Sequence, residues 1–183
     1  MKINTTPISD LMVIESTPHT DLRGAFARLF CDNELAPVIG RRRIVQINHS
    51  TTSTVGTIRG LHFQHPPHAE MKLVRCLKGR VWDVAIDLRR DSPTFLNWYA
   101  QELAADNHRM MVIPEGFAHG FQTLEPDSEV FYLTTAHYMP NAEGGVRFDD
   151  PRLGVKWPLK AGCLSVKDAA HPLLDEGFHG IFL

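Results

Sequence analysis

The chain has 183 residues, 43% of them hydrophobic, and a formal net charge of −2 at pH 7. That supplies one domain (residues 1–183) with a packed core and excludes a disordered chain. With no basic excess, no basic amphipathic face and no stretch able to span a bilayer, neither nucleic acid nor a membrane is expected as a partner.

Along the chain, short runs rich in β-branched and aromatic residues alternate with turn signals. Strands are predicted at 11–16, 42–50, 57–64, 71–79, 80–89, 97–103, 109–116, 119–125 and 128–138. The segment 31–39 suits one short helix capped by Asp32 or Asn33. Arg41-Arg42-Arg43 is read as a solvated loop, and Lys78-Gly79-Arg80 as a hairpin tip. The last forty or so residues, rich in Pro, Gly and Asp, are expected to pack as loops. Many short strands with little helix predict an all-β sandwich or barrel. Cys31, Cys76 and Cys163 are widely spaced, without a CxxC, which suits free thiols in a reducing compartment. No N-terminal apolar run resembles a signal peptide, so a cytoplasmic location is expected.

Period-2 alternation sorts the strand side chains. Lys72 shares a face with Val74 and Cys76, Asp83 with Val81 and Ala85, Tyr132 with Val130 and Thr134, and His62 with Gly60 and Gln64. If those faces line one interior, His62, Lys72, Asp83 and Tyr132 converge. Strict alternation sends Arg59 to the other face, but a bulge at Gly60 would turn it inward. Each of these residues alone is an ordinary packing or edge residue. Together, on like-facing positions, they read as a site.

The chemistry of that site has two readings. Pro114-Glu115-Gly116-Phe117-Ala118-His119 matches the second half of a cupin metal motif, P-x-G-x-x-H. The first half, H-x-H, fails, because Gln64 stands two residues after His62. His62, His119 and Glu70 make a poor ligand set, and no metal or other cofactor is expected. Proton transfer beside a carbonyl uses the residues better. It needs a base of near-neutral pKa such as His62, a cation for the enolate oxygen such as Lys72, and an acid on the opposite face such as Tyr132.

RGLHFQ (59–64), KLVRCLKGRVWDVAIDLRRDSPTF (72–95), IPEGFAHGF (113–121), EVFYLTTAHY (129–138) and LSVKD (164–168) closely resemble the dTDP-4-dehydrorhamnose 3,5-epimerase family. The resemblance runs from DLRGAFARLF (21–30) to AAHPLLD (169–175). It implies a double-stranded β-helix (jelly-roll cupin), no metal, a homodimer that exchanges N-terminal strands, and a nucleotide-linked 4-keto-6-deoxy sugar as substrate. By this resemblance His62 is the base, Asp168 its carboxylate partner and Tyr132 the opposing acid. Lys72 and His119 contact the sugar or its enolate, and Asp83 supports them. Arg23 and Arg59 contact the pyrophosphate, with Arg23 reaching the neighbouring subunit's site. Gln46, Asn48, Glu143 and Lys167 fall on further binding positions, and Tyr138 where an aromatic stacks on the base.

The chain departs from the family pattern at Arg28, where an acidic residue is usual and which remains a candidate substrate contact. It departs again at Glu70 for Gln, His19 and His137 for aromatics, and Leu133 for Lys. These departures spare the proton chemistry and bear on the nucleotide, the sugar and whether one or both carbons invert. The alternatives are a mono-epimerase or ketoisomerase on another nucleotide sugar and a non-catalytic nucleotide-sugar binding cupin, with a metal-dependent cupin dioxygenase last.

Overall fold

The computed structural model describes residues 1–183. Its strands are β1 (Lys2–Thr5), β2 (Met12–Glu15), β3 (His19–Asp21), β4 (Gly24–Phe26), β5 (Gln46–Thr52), β6 (Ile58–Gln64), β7 (Lys72–Lys78), β8 (Arg80–Asp87), β9 (Trp98–Ala104), β10 (Arg109–Ile113), β11 (Phe117–Thr123), β12 (Ser128–Thr134) and β13 (Glu143–Gly145). Two short helices, α1 (Asp32–Ile39) and α2 (Val166–Ala169), complete it. No helix is long and apolar enough to cross a membrane.

Six strands form one sheet in the order β1-β2-β10-β7-β12-β5, and five form a second in the order β13-β6-β11-β8-β9. Every pairing between named strands is antiparallel. The all-β jelly-roll expectation is met. Val74, Cys76, Met111 and Val130 of the first sheet meet Val81, Ala85, Leu103, Phe117 and Phe121 of the second in a buried layer between them. The outer face of the first sheet is sealed by Leu35 and Ile39 of α1 against Leu73, Met110, Val112 and Leu133. The outer face of the second is covered by the C-terminal segment, with Leu153, Ile181, Trp157 and Phe178 packed on Leu61, Phe63, Val84 and Ile86. Both walls thus have two apolar faces, which frees the inner face at one end to carry polar groups.

The short strands β1, β3, β4 and β13 lie outside the predicted ones, the strands predicted at 109–116 and 128–138 end at Ile113 and Thr134, and three further details differ from the sequence reading. Lys78-Gly79-Arg80 is not a hairpin tip: both edges of β7 are taken by β10 and β12, so at Gly79 (φ +71°) the chain crosses into the other sheet. Neither Asp32 nor Asn33 caps α1; Cys31 holds that position without a side-chain cap, and Asp32 and Glu34 lie in the first turn, where a helix N-terminus favours acidic groups. Finally, β5 begins at Gln46 and not at 42, after an exposed loop in which Arg42 pairs with Glu115.

Candidate active site

The site opens where β6, β7, β11 and β12 present their inner faces. Two cavities of about 360 and 280 Å³ share His62, Lys72, Tyr132 and Glu143 in their walls. Gln46, Asn48, Gln64, Glu70 and Tyr138 line the first; Arg59, His119, Lys167 and Asp168 line the second. Alternation alone predicted the meeting of His62, Lys72 and Tyr132. Asp83, fully buried, lies behind His119 and accepts its Nε2 hydrogen bond at 2.8 Å.

Arg59 reaches the cavity because β6 carries the anticipated bulge. Arg59 stands opposite Phe121 and His62 opposite His119, so Gly60 and Leu61 face the single residue Gly120. Gly60 has φ +115°, and a Cβ there would lie 2.6 Å from the His119 carbonyl oxygen. Only glycine suits that close approach. The Arg59 Nε donates to Thr52 Oγ1 at 2.9 Å and one terminal nitrogen to the Thr51 carbonyl at 3.2 Å, which leaves the other end of the fork for an anion.

The His62 Nε2 lies 2.6 Å from Asp168 Oδ1. Asp168 is held there by α2: Ser165 caps that turn, its Oγ accepting from the Asp168 N–H at 3.0 Å. Burial opposes charge on Asp168, but the hydrogen bond and charge of His62, with the Gly60 N–H, outweigh it and hold the carboxyl below the usual range. An ionised carboxylate accepts, so the His62 proton sits on Nε2 and Nδ1 is left as the basic atom.

Across the cavity, burial, reinforced by the Glu70 carboxylate, raises the Tyr132 phenol above its ordinary value and keeps it protonated. Lys72 Nζ lies 3.1 Å from Glu70 Oε1. Burial pushes the Asp83 carboxyl up, with His119 and Lys72 opposing it. At the mouth, Tyr138 donates to Glu143 Oε2 and Lys167 pairs with the same carboxylate.

Two expected residues are elsewhere. Arg23 lies on the exposed β3–β4 hairpin and pairs with Asp21. Arg28 pairs with Glu34 of α1, in a pocket with His19 and Phe26. The hairpin is exposed along both strands and Arg28 is tied to α1, so neither guanidinium lines this chain's own cavity.

Two neighbours of the base pair escaped the sequence reading. Ser165 could have been found from S-x-x-D, a capping pattern, and His171 from its spacing three residues after Asp168. His62, Asp168 and His171 form a set whose ligand atoms lie within 4.8 Å of one another. Zinc needs about 2 Å to each ligand atom and roughly 3.3 Å between ligand atoms in a tetrahedron. The 2.6 Å contact between His62 and Asp168 is too short for an ion and suits a shared proton. Gln64, where a cupin metal site has histidine, is instead tied down, donating to the His68 and His137 carbonyls and Glu70 and accepting from the Met139 N–H.

Comparison with known proteins agrees with this architecture. The dTDP-4-dehydrorhamnose 3,5-epimerase family model matches residues 5–176. A Salmonella typhimurium protein of that name is 44% identical over 173 residues, 93% of this chain and 94% of its own length. Among solved structures, a Legionella pneumophila 3,5-epimerase in complex with dTDP-4-keto-L-rhamnose has a TM-score of 0.92 at 37% identity, covering 100% of this chain and 98% of its own. The Bacillus anthracis dTDP-4-dehydrorhamnose 3,5-epimerase with TDP and PPi bound has a TM-score of 0.91 at 40% identity, covering 94% and 99%. With a family match from residue 5 to 176 and a shared fold at this identity, the chain belongs to the dTDP-4-dehydrorhamnose 3,5-epimerase family.

Proposed function

We propose that this chain is a 3,5-epimerase of a dTDP-linked 4-keto-6-deoxy sugar, converting dTDP-4-dehydro-6-deoxyglucose to dTDP-4-dehydrorhamnose by deprotonation and reprotonation. The observation that carries the reading is a single cavity holding a carboxylate-backed imidazole, a protonated phenol and a lysine. C3 and C5 both flank the C4 ketone, so the protons on both are acidic and one set of groups serves both. His62 Nδ1 takes the proton from carbon; the C–H electron pair moves to the carbonyl oxygen, giving an enolate. Lys72 donates a hydrogen bond to that oxygen, while His119, its Nε2 proton committed to Asp83, offers Nδ1 as an acceptor to a sugar hydroxyl. Tyr132 returns a proton to the opposite face of the carbon, and solvent resets the phenolate and the imidazolium. Asp168 fixes the His62 tautomer and stabilises the imidazolium.

Arg59 and Lys167 suit the pyrophosphate, while Gln46, Asn48, Glu143 and Tyr138 suit the rest of the nucleotide sugar. We place Arg23 in the site of a second copy. On its hairpin Leu22 is fully exposed and Phe26 70% exposed, as suits an arm docked on another subunit of a homodimer. Arg28, beyond the end of that hairpin, stays with its own subunit, paired with Glu34 and with its carbonyl accepting from Ser16. Three free thiols fit a cytoplasmic location.

The test is proton NMR of dTDP-4-keto-6-deoxyglucose with enzyme in deuterated buffer. Loss of both the C3 and C5 proton signals is expected. Loss of one alone would make the protein a mono-epimerase or ketoisomerase, and loss of neither would overturn the assignment to this sugar. Sedimentation is expected to give a dimer, and deletion of residues 19–26 to remove turnover.

A further inference from the structure

His171 takes no part in the proton route above, yet it touches both members of the base pair. Its ring meets that of His62 edge to face, with centroids 5.5 Å apart and planes at 72°. Its Nε2 lies 3.8 Å from Asp168 Oδ1, beyond hydrogen-bond range, and is buried with no other partner. The ring lies over Gly145, the residue paired with His62 in the β13–β6 ladder. A Cβ at Gly145 would fall 2.3 Å from the His171 Cε1 and Nε2. The backbone thus keeps a glycine where any other residue would expel this imidazole. For packing alone an apolar ring would serve better, since it would bury no unpaired nitrogen.

We propose that His171 is a positioning residue acting through His62: uncharged, it wedges the His62 ring against Asp168, and once protonated it draws Asp168 away and switches the base off. The idea rests on His62 being the base. Four charged or titratable groups face His171: His62 from β6, Glu143 from β13, and Lys167 and Asp168 from α2. Burial, with the His62 and Lys167 charges, lowers its proton affinity, and Asp168 and Glu143 oppose that; the net direction is down. At neutral pH it is an uncharged wedge. In acid, its new N–H points a positive charge at the oxygen that orients His62. Two imidazolium rings then compete for one carboxylate, and His62 loses the partner that fixed its geometry.

The experiment is a pH profile of carbon-bound proton exchange in deuterated buffer, with kcat and KM resolved, for wild type, His171→Phe, His171→Ala and His62→Ala. Imidazole titration of the wild type by NMR accompanies it. The wild-type acid limb is expected to steepen from first towards second order in protons, because protonating either ring blocks turnover. In His171→Phe the limb stays first order, with a plateau within about threefold of wild type, whereas His171→Ala loses about tenfold in kcat at unchanged KM. In the NMR titration, His62 signals shift as His171 gains its proton. A first-order wild-type limb overturns the proposal, as does a His171→Ala variant with unchanged kcat, or a His171 titration that leaves His62 undisturbed. Full activity in His62→Ala would instead overturn the base assignment. That result is distinct from an inactive His62→Ala beside unaffected His171 variants.

Discussion

His62 and His119 stand opposite each other on paired strands, and each shares a hydrogen bond with an aspartate, at 2.6 and 2.8 Å. Their settings differ. The His62 side chain is 32% exposed, and Asp168 arrives on a separate helical turn and accepts from His62 and from the Gly60 N–H of β6, so its carboxyl is held low. The His119 side chain is 10% exposed and Asp83 is sealed in, one oxygen without any partner, so burial drives its carboxyl up. One pair keeps an ionised carboxylate behind a solvent-reachable ring and can accept a proton. The other is starved of the donors that support charge, and suits a fixed, uncharged brace. Access and donor count, more than residue type, separate a base from a brace.

The hardest test of that contrast is His62→Ala, which is expected to lower kcat/KM by about 10³–10⁴-fold while dTDP still binds, measured by deuterium exchange and calorimetry. Asp168→Asn should follow, with a loss of about 10²-fold or more, because a neutral amide supports neither the tautomer nor the imidazolium. It should also change acid stability. A carboxyl whose folded pKa is depressed adds stability above its unfolded pKa, and that stability fades as pH falls through the folded value. The gap in denaturation midpoint between wild type and Asp168→Asn should therefore be full near neutrality and close in acid. Arg59→Ala probes the anion end alone. Loss of a charge-assisted hydrogen bond of about 1.5–3 kcal/mol predicts dTDP binding weaker by roughly ten- to hundredfold.

Asp83→Asn is expected to have the smallest effect on turnover, within about tenfold, since an amide oxygen still accepts from His119. Its stability signature has the opposite sign. A raised carboxyl pKa means the folded state holds its proton longer, so wild-type stability falls as pH rises from the unfolded carboxyl pKa to the folded one. Asp83→Asn should flatten that fall in pH-dependent melts. A turnover loss as large as that of Asp168→Asn would break the distinction between the pairs.

Much of this was legible in the chain itself. Alternation in 71–77, 80–88 and 128–134 correctly put Lys72, Asp83 and Tyr132 on inner faces, because the pleat leaves no freedom once apolar neighbours such as Val74, Ala85 and Val130 choose the core. Gly60 announced its bulge. What alternation does not carry is which sheet follows a turn. Lys78-Gly79-Arg80 looks like a hairpin because two strands flank it, but pairing depends on partners farther along the chain, β10 and β12 for β7 and β9 and β11 for β8. Nor does it carry the reach of a projecting arm: the expectation that Arg23 serves the neighbouring subunit's site, and that Arg28 contacts substrate, comes from the family resemblance and not from any period in the chain. His171 was missed because it lies in an irregular segment, where no period assigns a face.

The carboxylate behind the base enters the structure 106 residues after its histidine, on a single capped turn within the segment that wraps the five-stranded sheet. The barrel strands precede it, and the outer face of the five-stranded sheet is buried by the same segment that carries Asp168. On the proposed mechanism the base gains its partner only when that segment docks, so turnover reports on the C-terminal wrap as directly as on the barrel beneath it.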